Sequence, residues 1–106
     1  MQTLETIENT IQRETAVMVF FSSPACSVCH VLKPKLTEAV QQEFKLFKFI
    51  NIDISKELDT AAHYGVFSAP TVLVFFDGKE FIRKTRNMGI DEVVREIRRP
   101  YEIMTS

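Results

Sequence analysis

Val17-Met18-Val19-Phe20-Phe21-Ser22-Ser23-Pro24-Ala25-Cys26-Ser27-Val28-Cys29 is the stretch whose reading decides the fold. The unbroken apolar run from Val17 to Phe21 reads as a strand covered on both faces. Ser22 to Ala25 reads as a turn, and the Cys pair opens a helix that continues to about Phe44. Helical residues three apart share a face, so the two sulfurs can come close enough for an internal disulfide. Cys26 would lie at the helix start, where unpaired backbone N–H groups and the positive end of the dipole favour an anion such as a thiolate. Cys29, one turn further in, would be less exposed and would keep its proton more readily. The two thiols therefore differ in role: Cys26 attacks and Cys29 resolves the mixed disulfide.

Working outward, Leu4, Ile7 and Ile11 recur at helical spacing, which predicts an amphipathic helix from Thr3 to about Arg13. Pro34 falls inside the Cys helix, where it removes a hydrogen bond and predicts a kink. Lys45 to Asp53 reads as a second strand, and Ser55 as the cap of a third helix ending near Tyr64, with Gly65 as its left-handed stop. Thr71 to Phe76, the turn Asp77-Gly78 and Lys79 to about Arg86 read as a hairpin. Asp91 is expected to cap a last helix with Val93, Val94 and Ile97 on its buried stripe, and Pro100 to stop it, leaving Tyr101 to Ser106 as a tail. Two strands joined through a helix run parallel by the right-handed crossover rule, while the hairpin adds antiparallel pairing. The fold class is thus α/β, with a mixed central sheet between helices.

A chain of 106 residues, 45% apolar and 25% charged, fits one globular domain spanning 1–106. Its net charge of -1 gives no bulk attraction to nucleic acid or to an anionic membrane. The N-terminus has neither the basic start nor the apolar run of a secretory signal, which suggests the cytoplasm. In that reducing compartment a lone Cys pair points to catalysis or metal binding, not to a structural staple.

At this point the chain resembles the thioredoxin family over nearly its whole length. The shared marks are Cys26-Ser27-Val28-Cys29, Pro34, Asn51-Ile52-Asp53, Tyr64-Gly65-Val66, Ala69-Pro70-Thr71 and Asp77-Gly78. The resemblance implies a thioredoxin-like fold and a thiol-disulfide oxidoreductase working by dithiol-disulfide exchange. It further implies that Pro70 is cis and faces the Cys pair. Backbone just before it would receive the substrate as an added strand, with Ala25, Val66, Ala69 and Pro70 as substrate-binding residues. An exposed apolar rim of Pro24, Ala25, Val66, Ala69 and Met88 would hold that substrate.

The departures are equally specific. Ala25 replaces the family's Trp, and Ser27-Val28 replaces Gly-Pro, so the reduction potential does not carry over. The buried acid and Lys that accept the resolving thiol's proton in the family match Phe20 and Phe49 here. Neither can move a proton. His30, at i+4 from Cys26 and next to Cys29, is a candidate for tuning the thiolate or taking up the proton. Too few residues precede Val17 for the family's extra first strand, so a four-stranded sheet is expected. The stretch from Gly78 to Gly89 is a few residues longer than the family norm, which predicts an extended or bulged hairpin.

Rival chemistries fit less well. Cys26-x-x-Cys29-His30 satisfies a haem attachment pattern, but the rest of the chain fits the redox fold. Two Cys and two His are nominally four zinc ligands, yet His63 lies on a separate helix, so neither metal nor cofactor is expected. The expected function is protein-disulfide reduction by a monomer, with protein disulfides as substrates and a reductase or dithiol as electron donor. The alternative is a binding module on the same fold, taking peptides or a protein partner without turnover.

Overall fold

The computed structural model describes residues 3–105. Its elements run α1 (Leu4–Arg13), β1 (Ala16–Ser22), α2 (Ser27–Glu43), β2 (Phe47–Asp53), α3 (Leu58–His63), β3 (Thr71–Phe76), β4 (Lys79–Thr85) and α4 (Ile90–Thr105). The strands form one four-stranded sheet in the order β2-β1-β3-β4. β1 and β2 are parallel, and β3 is antiparallel to both β1 and β4. No strand precedes β1 among the described residues, so the expected mixed sheet of four strands is what the chain builds.

Successive side chains along each strand point to opposite faces of the sheet, which splits the interior into two clusters. On one face, Leu32, Leu36 and Val40 of α2 and Val93 and Ile97 of α4 pack on Met18, Phe20, Val72, Val74 and Phe76. On the other, Ile7 and Ile11 of α1 and Ala61 of α3 cover Val17, Val19, Phe21, Leu73 and Phe75. β1 and β3 serve both clusters, which is why their buried positions are apolar apart from Thr71 at the start of β3. Thr3 caps α1 by accepting a 3.1 Å hydrogen bond from the Thr6 N–H, an interaction typically worth about 1 kcal/mol.

The β3–β4 turn takes Asp77 at φ 51° and Gly78 at φ 80°, the paired positive values that a two-residue hairpin requires. A Cβ on Gly78 would also come within 2.6 Å of the Gln12 side chain. The hairpin is bulged, as its length suggested: Val74 pairs with Ile82 and Phe75 with Glu80, leaving Phe81 unpaired.

Three expectations are corrected. Ser55 does not cap α3; its N–H and hydroxyl both donate to Asp53 Oδ1, at 2.9 and 2.6 Å, and close a turn. α3 therefore starts only at Leu58, although Gly65 stops it at φ 68° as expected. Pro100 does not end the last helix, which continues to Thr105. Proline removes a helical hydrogen bond there, but Tyr101 secures the following turn by stacking on Phe47, 5.8 Å between centroids, and accepting from the Leu46 N–H at 3.1 Å. α2 holds Pro34 inside one continuous helix, as expected. Val94, expected on the buried stripe of α4, is only partly buried against the core.

Candidate functional site

Register brings the chemistry together at one end of the sheet. Parallel pairing sets Ser22 opposite Asp53, and antiparallel pairing sets Phe21 opposite Thr71. The start of α2, the end of β2 and the Ala69-Pro70 bond therefore meet where β1 ends. The Ala69–Pro70 peptide is cis. In the peptide that follows it, the Pro70 oxygen accepts from the Arg86 N–H at 2.8 Å.

Cys26 and Cys29 are joined in a disulfide, with 5.4 Å between their Cα atoms. Cys26 is the N-cap of α2, in extended backbone, and its sulfur accepts the Cys29 N–H at 3.3 Å. In the reduced protein that donor and the helix N-terminus would favour a thiolate on Cys26. Cys26 is half-buried, whereas Cys29 is 4% exposed and belongs to the core cluster containing Phe20. The asymmetry expected from helical position is thus present as a difference in burial.

Two clefts flank the start of α2. Ser27, Val28, Val31, Leu32 and Lys35 form one wall of a groove of about 860 Å³, closed by Met88 to Asp91. The opposite face of the same helix gives Cys29, His30, Lys33 and Pro34 to a second cleft of about 480 Å³, shared with Ser22, Ser23, Pro24 and Asp53. His30 therefore borders the space that Cys29 also borders. Asp53 in that cleft has its carboxyl held below the usual 3.8, chiefly by the Ser55 hydroxyl, with burial opposing and the Ser55 N–H and Lys56 adding to the effect.

Phe20 is buried and Phe49 partly so, both packed in the apolar cluster of Cys29, so that side of the thiol offers no ionisable group among these two. Ala25 and Pro24 are exposed, and Ala69 is partly so. Val66 departs from the expected rim: its side chain is 3% exposed and packs in the core under α3, because its N–H returns to the Ala61 carbonyl at 2.8 Å. Its neighbour Phe67 is 81% exposed instead, a feature that sequence reasoning missed. Also missed was Arg83, which donates to the Tyr64 and Gly65 carbonyls at 2.7 and 3.3 Å while paired to Glu80. It steadies the chain entering the Val66 to Ala69 segment. Nothing in the local sequence around Arg83 signals that contact. Among the described residues no group of His, Cys, Asp and Glu side chains is arranged to hold a metal ion, and no helix is long and apolar enough to cross a membrane.

The sequence is similar to known proteins over almost its full length. The family model described as Thioredoxin matches residues 1–99. The thioredoxin-like protein YdfQ of Bacillus subtilis is 30% identical over 103 residues, covering 97% of this chain and 91% of that protein. NADPH-dependent thioredoxin reductase 3 of Arabidopsis thaliana is 31% identical over 80 residues, 76% of this chain but 15% of that protein. The solved structure of thioredoxin 1 from Thermosipho africanus superposes with a TM-score of 0.76 at 29% identity, covering 85% of this chain and 99% of that one. A disulfide-bonded Cys pair at a helix N-terminus, a cis proline at the same end of the sheet and these likenesses lead to one conclusion: the chain belongs to the thioredoxin family and is a thiol-disulfide oxidoreductase.

Proposed function

We propose that this protein reduces disulfides in other proteins, acting as a monomer and as a single domain over 1–106. The observation that carries the reading is the asymmetric Cys pair, with Cys26 capping α2 and Cys29 buried behind it. The Cys26 thiolate attacks a substrate disulfide, forming a mixed disulfide and releasing one substrate thiolate. Cys29 then attacks the Cys26 sulfur, expelling the second substrate thiolate and leaving the Cys26–Cys29 disulfide. Two electrons pass from the pair to the substrate.

The substrate backbone adds as a strand beside Ala69, whose N–H and carbonyl make no backbone hydrogen bond among the described residues. Ala25, Pro24 and Met88 supply apolar contacts around it, and Val66 contributes through its backbone alone. Regeneration calls for an electron-donating reductase or dithiol. Likeness to part of a plant NADPH-dependent thioredoxin reductase supports a reductase in that role. A reducing compartment such as the cytosol would keep the pair cycling.

The test is trapping. Cys29→Ser is expected to accumulate mixed disulfides with protein substrates, seen as dithiothreitol-sensitive bands on non-reducing gels, while Cys26→Ser accumulates none. Equal trapping by both variants would overturn the assigned roles. Failure of the wild type to reduce insulin would favour a binding module.

A further inference from the structure

The dithiol mechanism proposed above, on which this inference rests, requires Cys29 to lose a proton as it attacks the mixed disulfide. A buried thiol holds that proton tightly, because burial penalises the charged form. On its core side Cys29 packs in an apolar cluster that includes Phe20, with Phe49 packed against it. No acceptor lies in that direction among the cluster's side chains. On its other side Cys29 borders the cleft of about 480 Å³ that His30, Lys33 and Asp53 also line.

We propose that the Cys29 proton leaves through this cleft, with His30 as its acceptor and Asp53 as the anion that favours the resulting imidazolium. Imidazole is the side chain that ordinarily exchanges protons near neutrality, which suits a group that must accept and release one in each cycle. Asp53 is committed to its anionic form by the Ser55 hydroxyl and N–H, at 2.6 and 2.9 Å, so it supplies charge and does not itself take the proton. Lys33, on the cleft wall from α2, favours a thiolate on Cys29 and opposes a lasting charge on His30. Lys56, in the turn after β2, partly offsets Asp53. This combination lets the imidazolium form and then give its proton to solvent.

The step balances. The Cys29 S–H bond breaks with its proton passing to the His30 imidazole, and the thiolate forms a bond to the Cys26 sulfur. The bond from Cys26 to the substrate sulfur breaks, and the substrate leaves as a thiolate that takes up a solvent proton. Over attack and resolution together the Cys pair is oxidised by two electrons and the substrate is reduced by two.

The experiment uses the reduced full chain and 5,5′-dithiobis(2-nitrobenzoate), whose coloured thiolate reports both steps. The first release follows attack by Cys26, and the second follows resolution by Cys29. His30→Gln is expected to slow the second release about tenfold near pH 7.5 while the first keeps its wild-type rate. That loss is smaller than the roughly 10²–10⁴ of a sequestered general base, because the cleft is open to solvent. In the wild type the second release should fall as pH drops. Asp53→Asn should slow the second release by a smaller factor, since an imidazolium formed without its anion is less favoured, and in His30→Gln the fall should begin at higher pH, because resolution then waits on ionisation of the Cys29 thiol itself. A second release unchanged in rate and pH profile by His30→Gln would overturn the proposal, as would slowing of the first release alone, which would tie His30 to Cys26. His30 is exposed, so the variant disturbs no core, and far-UV circular dichroism checks that. Absence of any second release in the wild type would instead defeat the dithiol mechanism itself.

Discussion

The two faces of α2 beside the disulfide differ in chemical character. Ser27, Val28, Val31, Leu32 and Lys35 turn a mostly apolar wall toward Met88, Gly89 and Ile90, and neither sulfur lines that groove. Cys29, His30, Lys33 and Pro34 turn toward Ser22, Ser23 and Asp53, in a cleft that takes in the buried thiol. Helical periodicity separates the two sets, because positions 27, 28, 31, 32 and 35 fall on one side of the cylinder and 29, 30, 33 and 34 on the other. One face can lose water against a substrate without drying the other. On the proposed mechanism, binding and proton exchange, which need opposite solvent conditions, would both be served by one rigid element.

The largest expected effect comes from erasing the contrast behind Cys29. Phe20→Asp puts a carboxylate into the apolar cluster, where loss of the ring alone costs about 3–5 kcal/mol and burial of the charge adds to it. Urea denaturation should show that loss, and adding Phe49→Lys should recover part of it. In the double variant, resolution gains a base on the core side. Its second release should then become insensitive to His30→Gln. A double variant that folds and still depends fully on His30 would confine proton traffic to the cleft.

A middle-sized effect belongs to the apolar face. Val28 and Val31 are 58% and 56% exposed, so replacing both by Ser leaves the core intact. If they cover substrate, KM for insulin should rise about five- to tenfold, in line with part of the roughly 1.5 kcal/mol that each fully buried Val contributes. Turnover at saturation and reaction with the small aromatic disulfide should stay near wild type. Slowing of the small disulfide as well would mean that this face acts on the thiols and not on substrate.

Much of this arrangement was legible in the sequence because it is local. The apolar run into Cys26, the spacing of the Cys pair, Asp77-Gly78 and Gly65 each signal their conformation within a few residues, and the long hairpin announced its bulge. What escaped depends on distant partners. Pro100 reads as a stop until Tyr101 is seen to reach Phe47 and the Leu46 N–H. Ser55 reads as a cap until Asp53 claims it. Val66 and Phe67 have similar apolar character, and only the return of the Val66 N–H to Ala61 decides which one is buried. Asp53 joins the site through strand register with Ser22, a pairing that no local pattern encodes.

The smallest effect concerns Asp53 as a charge in the folded state. Its carboxyl is held below 3.8 by the Ser55 hydroxyl above all, so the native protein binds a proton there less readily than the unfolded chain. The stability it contributes is therefore fully present above the ordinary Asp value and lost as pH falls through the lowered one. Asp53→Asn should leave the melting temperature at pH 7 nearly unchanged, because an amide oxygen can still accept from Ser55, and should flatten its decline below about pH 4. Melting curves from pH 7 to pH 2.5 would show the difference. An equally steep acid decline in the variant would place the acid-sensitive groups elsewhere. Asp53 would then matter for the charge it presents to the cleft and not for holding the turn after β2.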